Sequence, residues 1–141
     1  MRKLIIIGFI LLLMTLPATA RAAVTYDNSA GTNSTPGACT SITYSLTVGT
    51  GSNRALIVWV FISGSGNYAA APAVTAVTYA GVSLVQISVI NTTNYEAHSE
   101  LWALPAGTQP TSGANNVVVT LDNQLQINSV HTGAMSVAGV D

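Results

Sequence analysis

The chain has 141 residues and a formal net charge of −1, from four Lys or Arg and five Asp or Glu. Only 6% of its residues are charged, which leaves no cluster of Lys and Arg of the kind that nucleic-acid binding and polybasic membrane attachment require. The single cysteine, Cys39, cannot form a disulfide within the chain, so packing and backbone pairing must stabilise the fold.

The first 22 residues have the pattern of a secretory signal peptide. Arg2 and Lys3 precede an apolar run at 4–16, and Pro17 separates this run from the small residues at 18–23. A membrane anchor is the alternative, but a spanning helix needs about 20 apolar residues, and polar residues interrupt this run earlier. We therefore expect a signal peptide at 1–22 and a mature domain at 23–141, secreted or at the cell surface, with the periplasm as a further location.

The first half of the mature chain predicts strands separated by polar turns. A short strand at 24–27 is followed by a polar loop at 28–40 that contains Gly and Pro. At 41–48 apolar side chains alternate with Ser and Thr, as expected of a strand with one face in water. Residues 54–62 are apolar on both faces, which predicts a central strand of the core.

The second half continues the pattern. Residues 73–90 are interpreted as two strands that meet in a tight hairpin at Ala80 and Gly81, where Gly81 supplies a positive φ. Three further strands are predicted at 100–105, 116–122 and 126–141, with a candidate β-bulge at Gly133 in the last. About eight strands, and no helix after the leader, predict an all-β antiparallel sandwich of immunoglobulin-like or jelly-roll-like type.

The sequence ends at Asp141, directly after an apolar strand. We expect this ending to be incomplete and to leave an unpaired sheet edge. That edge would be covered by a partner, by a further C-terminal segment or by self-association.

A family resemblance follows from the segments VTYDN, GSNRALIVWV, VTAVTYAGVSLV, ELWALPAGT, NNVVVTL and GAMSVAGVD. Together they resemble a group of exported bacterial β-sandwich modules, also found in phage-related and multidomain surface proteins. The resemblance covers essentially all of the mature chain and implies the fold, but it assigns no catalytic residue. Members of the group continue past the GVD segment with several more strands, and this chain departs from them there.

The densest set of titratable side chains is Glu96, His98 and Glu100. Their spacing places all three on one face of an extended strand, where they could bind a ligand, hold a divalent cation or perform acid–base chemistry. The favoured interpretation is a solvent-facing strand whose other face, with Ala97 and Leu101, points inward. No metal or cofactor is predicted, and the common hydrolase motifs are missing from the sequence, so we expect no enzymatic activity.

Aromatic residues bear on sugar binding, because exposed rings serve as stacking platforms. Trp59 and Trp102 lie in apolar strands and are expected in the core. Tyr68 and Tyr95 lie in polar loops and are the better platform candidates.

These observations favour an exported structural or adhesive surface module without catalytic activity. The alternative is a carbohydrate-binding module associated with a secreted hydrolase. The expected partner is a cell-surface glycan or protein, with no nucleic acid and no stable membrane insertion after the leader is removed.

Overall fold

The computed structural model of the chain describes residues 23–34, 40–64, 74–92, 97–122 and 127–140. Their regular secondary structure consists of β-strands, which confirms the all-β prediction. In this part of the chain no helix is long and apolar enough to cross a membrane. The predicted leader and Cys39 lie outside the described residues. The strands are β1 (Thr25–Ser34), β2 (Ser41–Val48), β3 (Ala55–Gly64), β4 (Val74–Tyr79), β5 (Val82–Ser83), β6 (Val85–Asn91), β7 (Ala97–Ala103), β8 (Gly113–Leu121) and β9 (Ile127–Ala138).

Two antiparallel sheets pack face to face as a β-sandwich. Sheet A has the strand order β1-β9-β3-β7-β6, and sheet B has the order β2-β8-β4-β5. The inner faces of both sheets contribute to one apolar core, as strand alternation requires. The largest fully buried side chains of this core are Tyr79, Leu46, Leu56, Ile62, Val48, Val58, Val60, Val77, Val117, Val119 and Val130.

The alternation predicted for β2 is confirmed. Ile42, Leu46 and Val48 are buried, and Tyr44 is partly buried on the same face. The Ser and Thr residues between them are exposed, so sheet B turns a polar face to solvent.

The predicted hairpin at Ala80 and Gly81 is also confirmed, because both residues have positive φ values of 51° and 78°. The strand after it divides at Leu84, so the described residues form nine strands where eight were expected. Leu84 is buried and donates its N–H to the Val77 carbonyl at 2.9 Å. The chain therefore passes from β5, an edge strand of sheet B, to β6, an edge strand of sheet A, with the Leu84 side chain buried in the core.

Two local predictions were wrong. Residues 28–34 were expected in a loop, but they continue β1, because they pair with β9 from Ser136 to Val130. Gly133 is not a bulge: it pairs in regular register with Gly31 on β1 and Trp59 on β3. Its lack of a side chain leaves room for the Trp59 indole.

A polar corner joins β1 to the turn after β2. The Asp27 carboxylate accepts hydrogen bonds from the Gly49 N–H at 2.8 Å and from the Ser136 hydroxyl at 2.7 Å. The Gly49 hydrogen bond, followed by the Ser136 bond and the Arg54 charge, lowers the pKa of Asp27 against a smaller opposing effect of burial. Arg54 donates to the Gly49 carbonyl, so this corner fixes the start of β3 against β1.

Candidate binding face

Of the predicted site residues, the structure describes only Glu100 in full. Tyr68, Tyr95 and Glu96 lie outside the described residues, so their predicted roles stay predictions. His98 lies in β7 and pairs with Ile62, but its side chain is outside the described part. Glu100 is described fully, and its position contradicts the favoured interpretation of this strand.

Glu100 is only 4% exposed and points into the sandwich. Its carboxylate accepts hydrogen bonds from the Gln86 amide and the Trp102 indole N–H, both at 2.8 Å, and from the Val74 N–H at 3.3 Å. The opposite face, with Leu101 and Ser99, is the outer one. The prediction was wrong because partners on β4 and β6 compensate this buried carboxylate, and local sequence shows neither.

The outer face of sheet A is the surface that sequence reasoning missed. Its side chains alternate with the core side chains along five neighbouring strands. None of them is Lys, Arg, Asp or Glu, so the face carries no fixed charge. It consists of Tyr26, Ser29, Gly31, Asn33, Ile57, Trp59, Phe61, Val85, Ser88, Ile90, Ser99, Leu101, Ala103, His131, Gly133, Met135 and Val137.

Trp59 lies at the centre of this face and is 41% exposed, so its expected place in the core was wrong. Its indole covers Gly133 on the neighbouring strand. A Cβ built on Gly133 would lie 2.9 Å from Cη2 of the indole and closer still to Cζ2 and Cε2. Trp102, the other tryptophan, is 8% exposed and belongs to the core as expected.

Phe61 follows Trp59 on the same face and is also 41% exposed. Its ring centroid lies 6.3 Å from that of His131 on β9, with the ring planes tilted by 43°. Two rings at this separation make a favourable edge contact. The aromatic surface therefore extends from Trp59 along β3 and across to β9.

Hydrogen bonds between the sheets hold the backbone beneath Trp59. The Thr132 hydroxyl donates to the Trp59 carbonyl at 3.0 Å. Because the Thr132 proton is engaged there, the Tyr44 hydroxyl, 3.2 Å away, donates to the Thr132 oxygen. Burial raises the pKa of Tyr44 to about 12, against a smaller lowering by the Thr132 hydrogen bond, so the hydroxyl stays protonated and available as a donor.

A cavity of about 520 Å³ opens where β3 begins and the segment 104–109 crosses the end of the sheet. Its volume lies within the range of small-molecule sites. Ile57 and Ala103, which belong to the outer face, form part of its wall, and Arg54, Thr108 and Gln109 supply polar groups. Ile57 precedes Trp59 by two positions, so the cavity continues the aromatic surface along β3.

The part of the chain that the structure describes contains no candidate metal site. No group of three or more His, Cys, Asp or Glu side chains there is arranged to hold a metal ion. The carboxylates that are described serve the fold: Asp27 ties β1 to the turn after β2, and Glu100 joins β4, β6 and β7.

One feature of the sequence could have revealed the outer face. Along β3 the aliphatic Leu56, Val58, Val60 and Ile62 occupy one set of alternate positions, and the aromatic Trp59 and Phe61 occupy the other. Such segregation separates a close-packed inner face from a face with large flat rings. Reading the strand only as apolar on both sides concealed this difference.

Comparisons of this chain with models of protein families, with curated proteins and with solved structures give no match.

Proposed function

We propose that this protein is an exported adhesive surface module without catalytic activity, and that it adheres through the outer face of sheet A. The observation that carries the proposal is the exposure of Trp59 and Phe61, 41% each, side by side on a sheet face without fixed charge. Exposed aromatic side chains within an uncharged apolar patch are typical of contact surfaces. Export is supported by the sequence of residues 1–22.

The remaining contacts support a binding role more than chemistry. A sheet face is rigid, and the Tyr44, Thr132 and Trp59 hydrogen bonds fix the backbone under the aromatic rings. Because the surface is already rigid, the protein loses less conformational entropy when a ligand binds to it. Glu100, the one predicted acid–base candidate whose side chain is described, is occupied by three donors in the interior.

Adhesion of the purified mature protein to whole bacterial cells and to abiotic surfaces tests this proposal. Changing both Trp59→Ala and Phe61→Ala should reduce the bound fraction about tenfold or more, because the two exposed rings lie together at the centre of the face. Thr43→Ala is the matched control, since Thr43 is exposed on the opposite side of the sandwich. Equal adhesion of the double variant and the wild type would contradict the proposal.

A carbohydrate-binding module of a secreted hydrolase is the second candidate. The specific observation that favours it is the position of the exposed Trp59 indole over Gly133. It differs from the first candidate in requiring a soluble or insoluble glycan as the ligand.

A further inference from the structure

The Trp59 indole is arranged as a stacking surface. One of its faces lies against the Gly133 backbone, where a Cβ would overlap the ring. The residue as a whole is still 41% exposed, so the ring is open to solvent while it covers Gly133. Gly31 stands beside Gly133 in register on β1, so no side chain rises next to the ring on that side.

The chemistry around the ring fits a neutral ligand with many hydroxyl groups. The described face has no fixed charge that would attract phosphate, sulfate or carboxylate groups. Exposed Asn33, Ser99 and His131 lie in the same cross-strand row as Phe61 and supply both donors and acceptors. A pyranose ring combines these two requirements, because its C–H face is apolar and its rim carries hydroxyls.

The surface is also elongated. Phe61, Trp59 and Ile57 follow one another along β3 at alternate positions, with a spacing of about 7 Å. At the Ile57 end the surface runs into the cavity of about 520 Å³, where Thr108 and Gln109 add neutral polar groups and Arg54 adds the one charged residue of the lining. A chain of linked sugars would lie along β3, with one sugar on the indole and the chain end in the cavity.

We propose that the outer face of sheet A binds a neutral polysaccharide, with Trp59 as the stacking residue and Gly133 as the position that allows the indole to lie flat. This assignment rests on the proposed adhesive function, and it names the ligand class of that same face. A protein surface and a second copy of this chain are the competing occupants that the experiment must separate.

The test is affinity electrophoresis of the mature protein in gels that contain a soluble β-glucan, xylan, mannan or starch, with sedimentation assays on cellulose and chitin. At least one of these neutral polysaccharides should retain the wild type. Trp59→Ala and Gly133→Ala should each weaken retention about tenfold or more, the first by removing the ring and the second by displacing it. Thr43→Ala is the matched control, because Thr43 is exposed on sheet B at the opposite side of the sandwich, and its retention should stay within about twofold of the wild type.

Circular dichroism and urea unfolding will show whether Gly133→Ala still folds; if it does not, Trp59→Ala alone decides the outcome.

Failure of all six polysaccharides to retain the wild type would overturn the glycan assignment. If the wild type still adhered to cells and Trp59→Ala reduced that adhesion, the adhesive proposal would survive this result. If the wild type did not adhere to cells at all, both proposals would fail. A dimer in sedimentation velocity that Trp59→Ala dissociates would assign the face to a second copy. Stronger retention by polygalacturonate than by the neutral glycans would likewise contradict the proposal, because a preference for an anionic chain requires positive charge that the described face lacks.

Discussion

At the scale of single residues, Tyr44 links the core to the candidate binding face. It lies in sheet B, and its hydroxyl reaches across the sandwich to Thr132, whose own hydroxyl holds the Trp59 carbonyl. Burial raises the pKa of Tyr44 from 10.0 to about 12. The neutral phenol is therefore the form that the folded protein stabilises.

Stability should consequently fall at alkaline pH through Tyr44. Below pH 10 the phenol is neutral in both the folded and the unfolded chain, so the contribution of Tyr44 to the free energy of unfolding is complete. Between pH 10 and about 12 the phenol ionises only in the unfolded chain, and this contribution is lost. The full effect is about 2 kcal/mol. Urea unfolding at pH 9 and pH 11 should show a smaller loss of stability in Tyr44→Phe than in the wild type, and equal losses would show that Tyr44 is not buried as described.

Glu100 gives a second prediction at this scale. Replacing it by Ala leaves the Trp102 indole N–H, the Gln86 amide and the Val74 N–H without this acceptor in or near the core. We expect Glu100→Ala to lower the free energy of unfolding by about 2 to 4 kcal/mol. Glu100→Gln should lose less, because it keeps one acceptor oxygen and the same shape.

Urea denaturation of both variants checks this prediction. A loss below about 0.5 kcal/mol for Glu100→Ala would match an exposed side chain rather than a buried one. It would then restore the solvent-facing interpretation that the sequence pattern favoured.

At the scale of elements, β6 is one of the two edge strands of sheet A. Among the described strands it pairs with β7 alone, and all seven of its residues are exposed. Its exposed apolar side chains include Val89 at 48% and Ile90 at 70%, and it contains no charged residue or proline. Edges without such protection favour pairing with another strand, although the register shift between Gln86 and Ser88 interrupts this one.

We expect the predicted self-association through an open edge to use β6. Ile90→Lys should shift the protein toward monomer, because a charge on an edge strand opposes strand pairing. Ser45→Lys adds the same charge on the outer side of sheet B and should leave the association unchanged. Sedimentation velocity over a range of concentrations makes the comparison, and a wild type that is monomeric throughout would rule out association through β6.

The strands also show how far sequence reasoning reaches. Alternation in β2, the hairpin at Ala80 and Gly81 and the buried Trp102 could be predicted, because each depends on neighbours in sequence. The extension of β1, the interior position of Glu100 and the exposure of Trp59 could not. Each of these depends on which strand lies alongside or which face another layer covers, and such long-range pairing leaves no local pattern.

At the scale of the whole molecule, the two sheets have different tasks. Sheet B covers the inner face of sheet A and presents Ser and Thr to solvent along β2. Sheet A presents an uncharged face with aromatic rings, with a cavity at one end. This division gives the sandwich one side suited to solvent and one suited to contact, as a module that adheres to a surface requires.

The most direct test of this account is the solvent exposure of Trp59 in the mature protein. The chain has two tryptophans, so Trp59→Phe leaves only the buried Trp102 as an indole fluorophore. Acrylamide should quench a large part of the wild-type emission and very little of the emission of Trp59→Phe, whose maximum should also shift to shorter wavelength. Wild-type emission that resists acrylamide as well as that of Trp59→Phe would mean that Trp59 is covered, and would contradict a binding face on the outer side of sheet A.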